Sequence, residues 1–341
     1  MAQEASTNMA ISVVVCHHAG RLIDRCLTSI ATSQGIRVDV IVLSSDATWK
    51  PLNGFVGRVY GEQGGPAHKR NVGVAKATEE IVAFLDDDAE VGPFTLYQLW
   101  MAICSNGLDV GMVFGKLLNM ERRQELDDAG SWLTATGFLY ARADSQTDTG
   151  QYDREAFCLA SKSALCAVTK RAFYRVGGFD PDYFILGEET DLAWRMWLRG
   201  HYVLYHPFAV GWHAFNSSLK PTDTYYTIQR IHTFGARNYV SLLVTNLGSM
   251  RLVRTLPIHI GAWLLAALGF AAKGQAWRAR AILVGLIEAA RRLPKTLAKR
   301  RTVQSQRIRS DRELAPFIMA RPPVSYYARR IRRYWEQMLH G

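Results

Sequence analysis

Two acidic groups stand out by type and spacing. The apolar run Ile81 to Leu85 stops on three adjacent carboxylates, Asp86, Asp87 and Asp88, and far downstream comes Glu188-Glu189-x-Asp191, followed by His213 after the short apolar run FAVGW. Like charges at that density repel, and they are tolerated where a cation sits among them; oxygen ligands at a strand end suit a hard ion such as Mg²⁺ or Mn²⁺. In a strand, alternation turns Asp86 and Asp88 to one side and Asp87 to the other, so two carboxylates address one site. A lone acidic triplet also fits a solvated turn, a lone Glu-Glu-x-Asp fits helix-capping acids that complement the dipole, and a lone histidine after a strand is more commonly structural. It is the pairing of the two acidic groups that points to chemistry.

The elements that must position these residues alternate. ISVVVC (Ile11 to Cys16) reads as a strand buried on both faces; Leu22, Ile23, Cys26, Leu27 and Ile30 recur at helical spacing up to Gly35; VDVIVL (Val38 to Leu43) reads as a second buried strand. This order predicts a right-handed, mostly parallel α/β sheet, in which ligands gather at the carboxyl ends of the strands. His17, His18, Asp46 and Asp86 to Asp88 all fall there. Beyond Pro93 a helix (Leu96 to Cys104) and a strand (Val110 to Gly115) continue the pattern, and Met120 to Arg154 reads as irregular loops near an acceptor site. No Gly-x-Gly-x-x-Gly or Walker-type loop is present, which disfavours a dehydrogenase or P-loop enzyme.

The segment GGPAHKRNVGVAKATEEIVAFLDDDAEVGP, with Gly65, Ala67, Arg70, Asn71, Gly73 and Ala77 ahead of the triplet, resembles the nucleotide-sugar-binding half of family 2 glycosyltransferases of the GT-A fold. A second block, Ser163 to His213, is similar to the family in Gly177-Gly178-Phe179-Asp180, Glu188-Glu189-x-Asp191-Leu192, Arg195, Gly200, Pro207 and His213, with Ser163 where many relatives have glycine. The resemblance covers residues 11 to about 215 and implies a Rossmann-like GT-A sheet with flanking helices. It implies that Asp87 contacts the ribose side of the donor, that Asp86 and Asp88 hold a Mg²⁺ or Mn²⁺ ion on the diphosphate with His213 completing the shell, and that His17, Asp46, Arg70 and Asn71 lie on the donor side. At the exit of the first strand His17, His18, Ala19 and Gly20 replace the family's Thr-Tyr-Asn-Arg-like sequence. Glu189 stands where the family has its base, with one methylene more, and Glu188 and Asp191 lie beside it. Moving a sugar from a nucleoside diphosphate to an alcohol needs a cation for the leaving group and a carboxylate for the acceptor's proton. With one base and no evident nucleophile, single displacement with inversion is expected.

Composition places limits on this reading. The 341 residues are 48% hydrophobic, enough to bury a core, and five cysteines without a Cys-x-x-Cys pair argue against a disulfide framework or zinc site. MAQEASTNMA lacks the features of a signal peptide, so a cytoplasmic protein is expected. Residues 273–341 hold 17 Lys or Arg against 4 Asp or Glu, a net of +13, while the remainder holds 24 against 26. The expected organisation is a GT-A domain over 1–220, with the nucleotide-sugar part about 11–115 and the acceptor part about 116–215, and a basic, amphipathic helical appendage over 221–341. In the appendage, Ile258 to Ala272 is about fifteen apolar residues, short of the roughly twenty that span a bilayer, and is expected to be interfacial or re-entrant. Ala281 to Leu293 is expected as a helix stopped by Pro294, and Tyr326 to Leu339 mixes aromatics with arginines as a headgroup interface does. The expected partners are a nucleotide-diphosphate sugar donor, a glycan or lipid-linked acceptor, and an anionic membrane surface, here the inner face of the cell membrane, in the manner of rhamnosyl- and related transferases of cell wall polysaccharide synthesis. Two other readings fit less closely: a synthase loading sugar onto polyprenyl phosphate, and a non-catalytic protein whose arginines grip nucleotide or nucleic-acid phosphates.

Overall fold

The computed structural model describes residues 9–18, 22–105, 107–143, 146–214 and 221–328, with the backbone alone for 221–228. The expectations for the first eight residues, for Ala19 and Gly20, and for the Tyr326 to Leu339 stretch beyond residue 328 lie outside the described residues. The chain divides into two compact units, one of residues 1–131, 141–220 and 306–309, the other of 132–140, 221–305 and 310–341.

In the first unit the order is β1 (Ala10–His17), α1 (Ile23–Ala31), β2 (Arg37–Ser44), β3 (Arg58–Gly61), α2 (Pro66–Lys76), β4 (Ile81–Asp86), β5 (Ala89–Val91), α3 (Thr95–Cys104), β6 (Val110–Asn119) and β7 (Leu126–Asp128). After the hairpin β8 (Ser131–Leu133) and β9 (Leu139–Ala141) come β10 (Ala156–Phe157), β11 (Leu165–Thr169), α4 (Lys170–Arg175), α5 (Glu188–Leu198) and β12 (Tyr202–His213). The sheet runs β10-β12-β6-β11-β4-β1-β2-β3, with β5 on β12 and β7 on β6. β3, β2, β1 and β4 pair in parallel, as do β6 and β12, and β11 runs against β4 and β6 on either side of it. The chain thus has the mixed, largely parallel α/β architecture of the GT-A fold.

The apolar runs become strands because both faces of the sheet are covered. Ile11, Val13, Val14 and Val15 are all fully buried, with Ile11, Val13 and Val15 in one cluster with Ile23, Cys26, Leu27 and Ile30 of α1. α1 ends at Ala31, and Gly35 (φ +76°) lies in the turn beyond it. α2 approaches β1 so closely that a Cβ on Gly73 would lie 2.3 Å from Val14 Cγ1, which explains a small residue there.

The second unit consists of the β8–β9 hairpin tip with α6 (Pro221–Asn246), α7 (Ser249–Ala272), α8 (Ala276–Ser305) and α9 (Asp311–Ile318). Ala236, Ala267, Phe270, Ala279 and Ile282 form one of its cores, and Val240, Val244 and Ala289 another. Three expectations about the extent of elements are corrected here. The apolar stretch from Ile258 is the second part of a 24-residue helix, long and apolar enough to cross a membrane, because the helix begins at Ser249 and passes through Pro257. α8 likewise runs through Pro294 to Ser305. Each proline frees one carbonyl, of Val253 or Ala290, and both of these residues are exposed, which leaves water as an available partner. Met120 to Arg154 is not merely loop: it carries β7, β8 and β9, and its tip packs in the second unit, where His259 Nδ1 lies 3.1 Å from Thr136 O and the Phe138 ring 4.1 Å from the imidazole. Trp263 Nε1 donates to His259 Nε2, and burial lowers this histidine to about 4, so it is neutral.

Gly73→Ala is expected to cost about 1–3 kcal/mol by overpacking against Val14. In urea titrations its combination with Val14→Ala should lose less than the sum of the two single changes.

Candidate active site

Three strand ends and one helix start supply the site. β4 ends at Asp86, and Asp87 and Asp88 form a turn before β5. The expected strand alternation therefore does not extend through the triplet, yet the turn also separates the side chains. Asp86 and Asp88 meet His213, the last residue of β12, with one ligand atom from each lying within 4.8 Å of the others. Asp87 turns to β1, where its carboxylate lies 2.8 Å from His17 Nδ1 and accepts from the His18 amide.

His213 is held at both nitrogens. Nε2 lies 3.3 Å from Asp88 Oδ1, and Nδ1 lies 2.9 Å from Asp127 Oδ2. Burial opposes a charged imidazole here, but the bonds to Asp127 and Asp88 outweigh it and raise His213 to about 10. Burial would likewise raise Asp127; the bonds from His213 and Lys162 prevail and hold it below its ordinary value. Asp127 was not singled out from the sequence, because it lies in the irregular stretch and reaches the site only through the pairing of β7 with β6.

Arg70 of α2 joins the two acidic groups. Its Nη2 donates to Asp86 Oδ1 at 2.8 Å and its Nη1 to Glu188 Oε1 at 3.0 Å, with the guanidinium 3% exposed. Although burial acts against it, the two carboxylates hold Arg70 more firmly charged than usual. The second oxygen of Glu188, Oε2, is buried with no hydrogen-bond partner among the described residues. Glu189, half-buried beside it at the start of α5, accepts from Thr190 Oγ1 at 3.2 Å. Burial first, and the neighbouring Glu188 second, raise Glu189 to about 8.

The remaining candidates divide by what they touch. Asn71 accepts from Phe179 N and donates to Phe179 O, so both ends of its amide hold the Gly177-Gly178-Phe179 turn. Asp191, expected beside the base, is 2% exposed and pairs with Arg195, which donates in turn to Val176 O and Gly178 O. Those engagements make both residues braces of the loop leading to Glu189, in which Phe184 and Leu186 take positive φ. Asp46 accepts from Thr48 and Trp49, closing its own turn after β2, and the Trp49 ring lies 4.8 Å from that of His17. Lys69, which sequence reasoning passed over, donates to His17 O at 2.6 Å.

Two carboxylates and an imidazole suit Mg²⁺ or Mn²⁺, and ligands on opposite sides of one such ion stand about 4.2 Å apart, close to the span of this trio. The carboxylate of Asp127 behind His213 also matches the support a metal-bound imidazole receives, directing Nε2 inward. The residues therefore fit the ion.

A family model described as glycosyltransferase like family 2 matches residues 9–225. Among curated proteins, the pre-mycofactocin glycosyltransferase of Mycobacterium tuberculosis, in strains CDC 1551 / Oshkosh and H37Rv, is 30% identical over 162 residues, which is 46% of this chain and 31% of that protein. The chain thus spans about a third of the length of the curated relatives it matches. Among solved structures, GalNAc-T7 with UDP, GalNAc and Mn²⁺ shares the fold at a TM-score of 0.54 and 14% identity, over 84% of this chain and 57% of that one. The mannosyltransferase PcManGT from Pyrobaculum calidifontis, in complex with GDP-Man and Mn²⁺, has a TM-score of 0.47 and 17% identity, over 87% and 83% of the two chains.

With His213 as a ligand, Mn²⁺ would have to displace the proton of an imidazole raised to about 10. Calorimetry is expected to show affinity rising with pH from 6 to 9, by up to about tenfold per unit, and falling about 10–100-fold in Asp127→Asn. Asp191→Ala leaves the Arg195 cation buried without its carboxylate and should lower unfolding stability by about 3–5 kcal/mol, with Mn²⁺ affinity of the folded protein unchanged.

Proposed function

Because the chain belongs to the glycosyltransferase-like family 2, whose model matches residues 9–225, we propose that it transfers a sugar from a nucleoside diphosphate sugar to a hydroxyl, with inversion at the anomeric carbon. The observation that carries this reading is the Arg70 bridge, which brings the triplet and the Glu188–Glu189 pair to one site. Asp86, Asp88 and His213 would hold a divalent ion, which when bound supplies positive charge to the departing diphosphate. Asp87 and His17 lie at the end of β1, where the ribose and base of a donor would be accommodated.

Glu189 would take the acceptor's proton as the acceptor oxygen bonds to the anomeric carbon and the carbon–oxygen bond to the diphosphate breaks, its electron pair leaving with the phosphate. A carboxylate raised to about 8 is a stronger base than an ordinary one once deprotonated. Arg70 holds Glu188 in place, and Glu188 adds to the effect of burial in raising its neighbour. This favours a hydroxyl acceptor over the phosphate of a polyprenyl phosphate, because a phosphate is already anionic near neutral pH and needs no base. A glycan or lipid-linked hydroxyl, presented at the cytoplasmic face of a membrane, is the acceptor class most consistent with a basic C-terminal region of net +13. The identity of the sugar, whether rhamnosyl or another hexosyl group, would be set by the turns around His17 and Asp46.

Glu189→Gln is expected to lower turnover about 10²–10⁴-fold while leaving donor affinity intact. Asp88→Ala should instead abolish Mn²⁺-dependent donor binding in titrations. In the wild type, turnover should rise with pH and level off above about 8 as Glu189 loses its proton. A Glu189→Gln enzyme of near wild-type turnover would remove the base assignment.

A further inference from the structure

α7 presents apolar side chains to solvent along its whole length. Met250, Val253, Leu264, Leu265 and Leu268 follow one another at helical spacing, with Leu265 70% and Leu268 67% exposed, and no charged residue lies between Arg254 and Lys273. The opposite side of the same helix is buried at Thr255, His259, Ala267 and Phe270. Its neighbour α8 carries a matching outer stripe, Leu283, Val284 and Ile287, bracketed on the same helical face by the exposed Arg280 and Arg291.

We propose that the outer stripes of α7 and α8 bind an anionic lipid surface, with α7 lying along the headgroup boundary rather than crossing the bilayer. At 24 residues and 1.5 Å per residue, α7 is about 36 Å long, enough to span. Its inner side, however, packs with α8, which bears Arg278, Arg280, Glu288, Arg291 and Arg292. Crossing would carry these charges into hydrocarbon, whereas lying flat lets apolar residues enter the acyl boundary and the arginines meet headgroups. A second copy of this chain is the weaker occupant, because a two-fold contact would set Arg280 and Arg291 against their own counterparts. Anionic headgroups satisfy the same cations.

The inference deepens the membrane-side placement proposed above, but its readout is lipid binding and needs no sugar transfer. The full chain would be floated with vesicles of phosphatidylcholine alone or with added phosphatidylglycerol. Binding is expected to the anionic vesicles, to weaken with salt, and to fall about tenfold or more in L265E/L268E and in R280E/R291E. Val56→Glu, at an 86% exposed apolar residue of the first unit, should bind as wild type. Unchanged melting temperatures and Mn²⁺ affinity would show that the variants fold. Undiminished vesicle binding by L265E/L268E, equal binding to neutral vesicles, or a wild-type dimer in light scattering that the variant abolishes without vesicle binding would each overturn the proposal. Loss of vesicle binding with donor hydrolysis retained would support it and leave the transfer chemistry standing.

Discussion

A single buried guanidinium touches both acidic clusters. Arg70 reaches Asp86 on one side and Glu188 on the other, at 2.8 and 3.0 Å. Without it, the three carboxylates of the triplet and the two at the start of α5 would face one another without the cation that touches both groups. Breaking a buried pair on one side leaves an unpaired charge, so the arrangement is strongly constrained. Its position follows from α2, whose Gly73 lets the helix press onto β1 and brings Arg70 over the ends of β1 and β4. Helix packing and site electrostatics are thus set by the same short segment.

Around this centre, similar residue types perform different tasks, and the neighbours decide which. Asp88 and Asp191 are both acids in family-like motifs. Asp88 is a quarter exposed and faces His213, whereas Asp191 is buried against Arg195 and braces the turn before Glu189. Glu188 and Glu189 are adjacent, yet one is paired with Arg70 and the other has its proton affinity raised by burial and by that neighbour. Asn71, fixed by both amide atoms to Phe179, links α2 to the same loop.

What was legible in the sequence follows from periodicity and spacing. Strands buried on both faces appear as continuous apolar runs, so β1, β2 and β4 and the α1 face were readable, and the triplet was conspicuous because carboxylates seldom follow such a run. Asp127 was not readable, since its role arises from a short antiparallel pairing with no periodic signature. The bracing roles of Asn71, and of Asp191 through Arg195, depend on backbone contacts that spacing does not reveal. The full extent of α7 was obscured by Pro257 and His259, polar or helix-breaking by type, one solvated and the other satisfied by Thr136 and Trp263.

The antiparallel placement of β11 has a consequence for how the molecule is made. Leu85 of β4 pairs with Leu165, and Cys166 with Phe114 of β6, so the middle of the sheet closes only after a long excursion of chain returns. Until that return, β4 is an open edge whose Ile81–Leu85 run can pair with any available strand. Non-local closure of this kind is slow, and the nascent chain carries an unprotected, aggregation-prone edge while synthesis proceeds past residue 169.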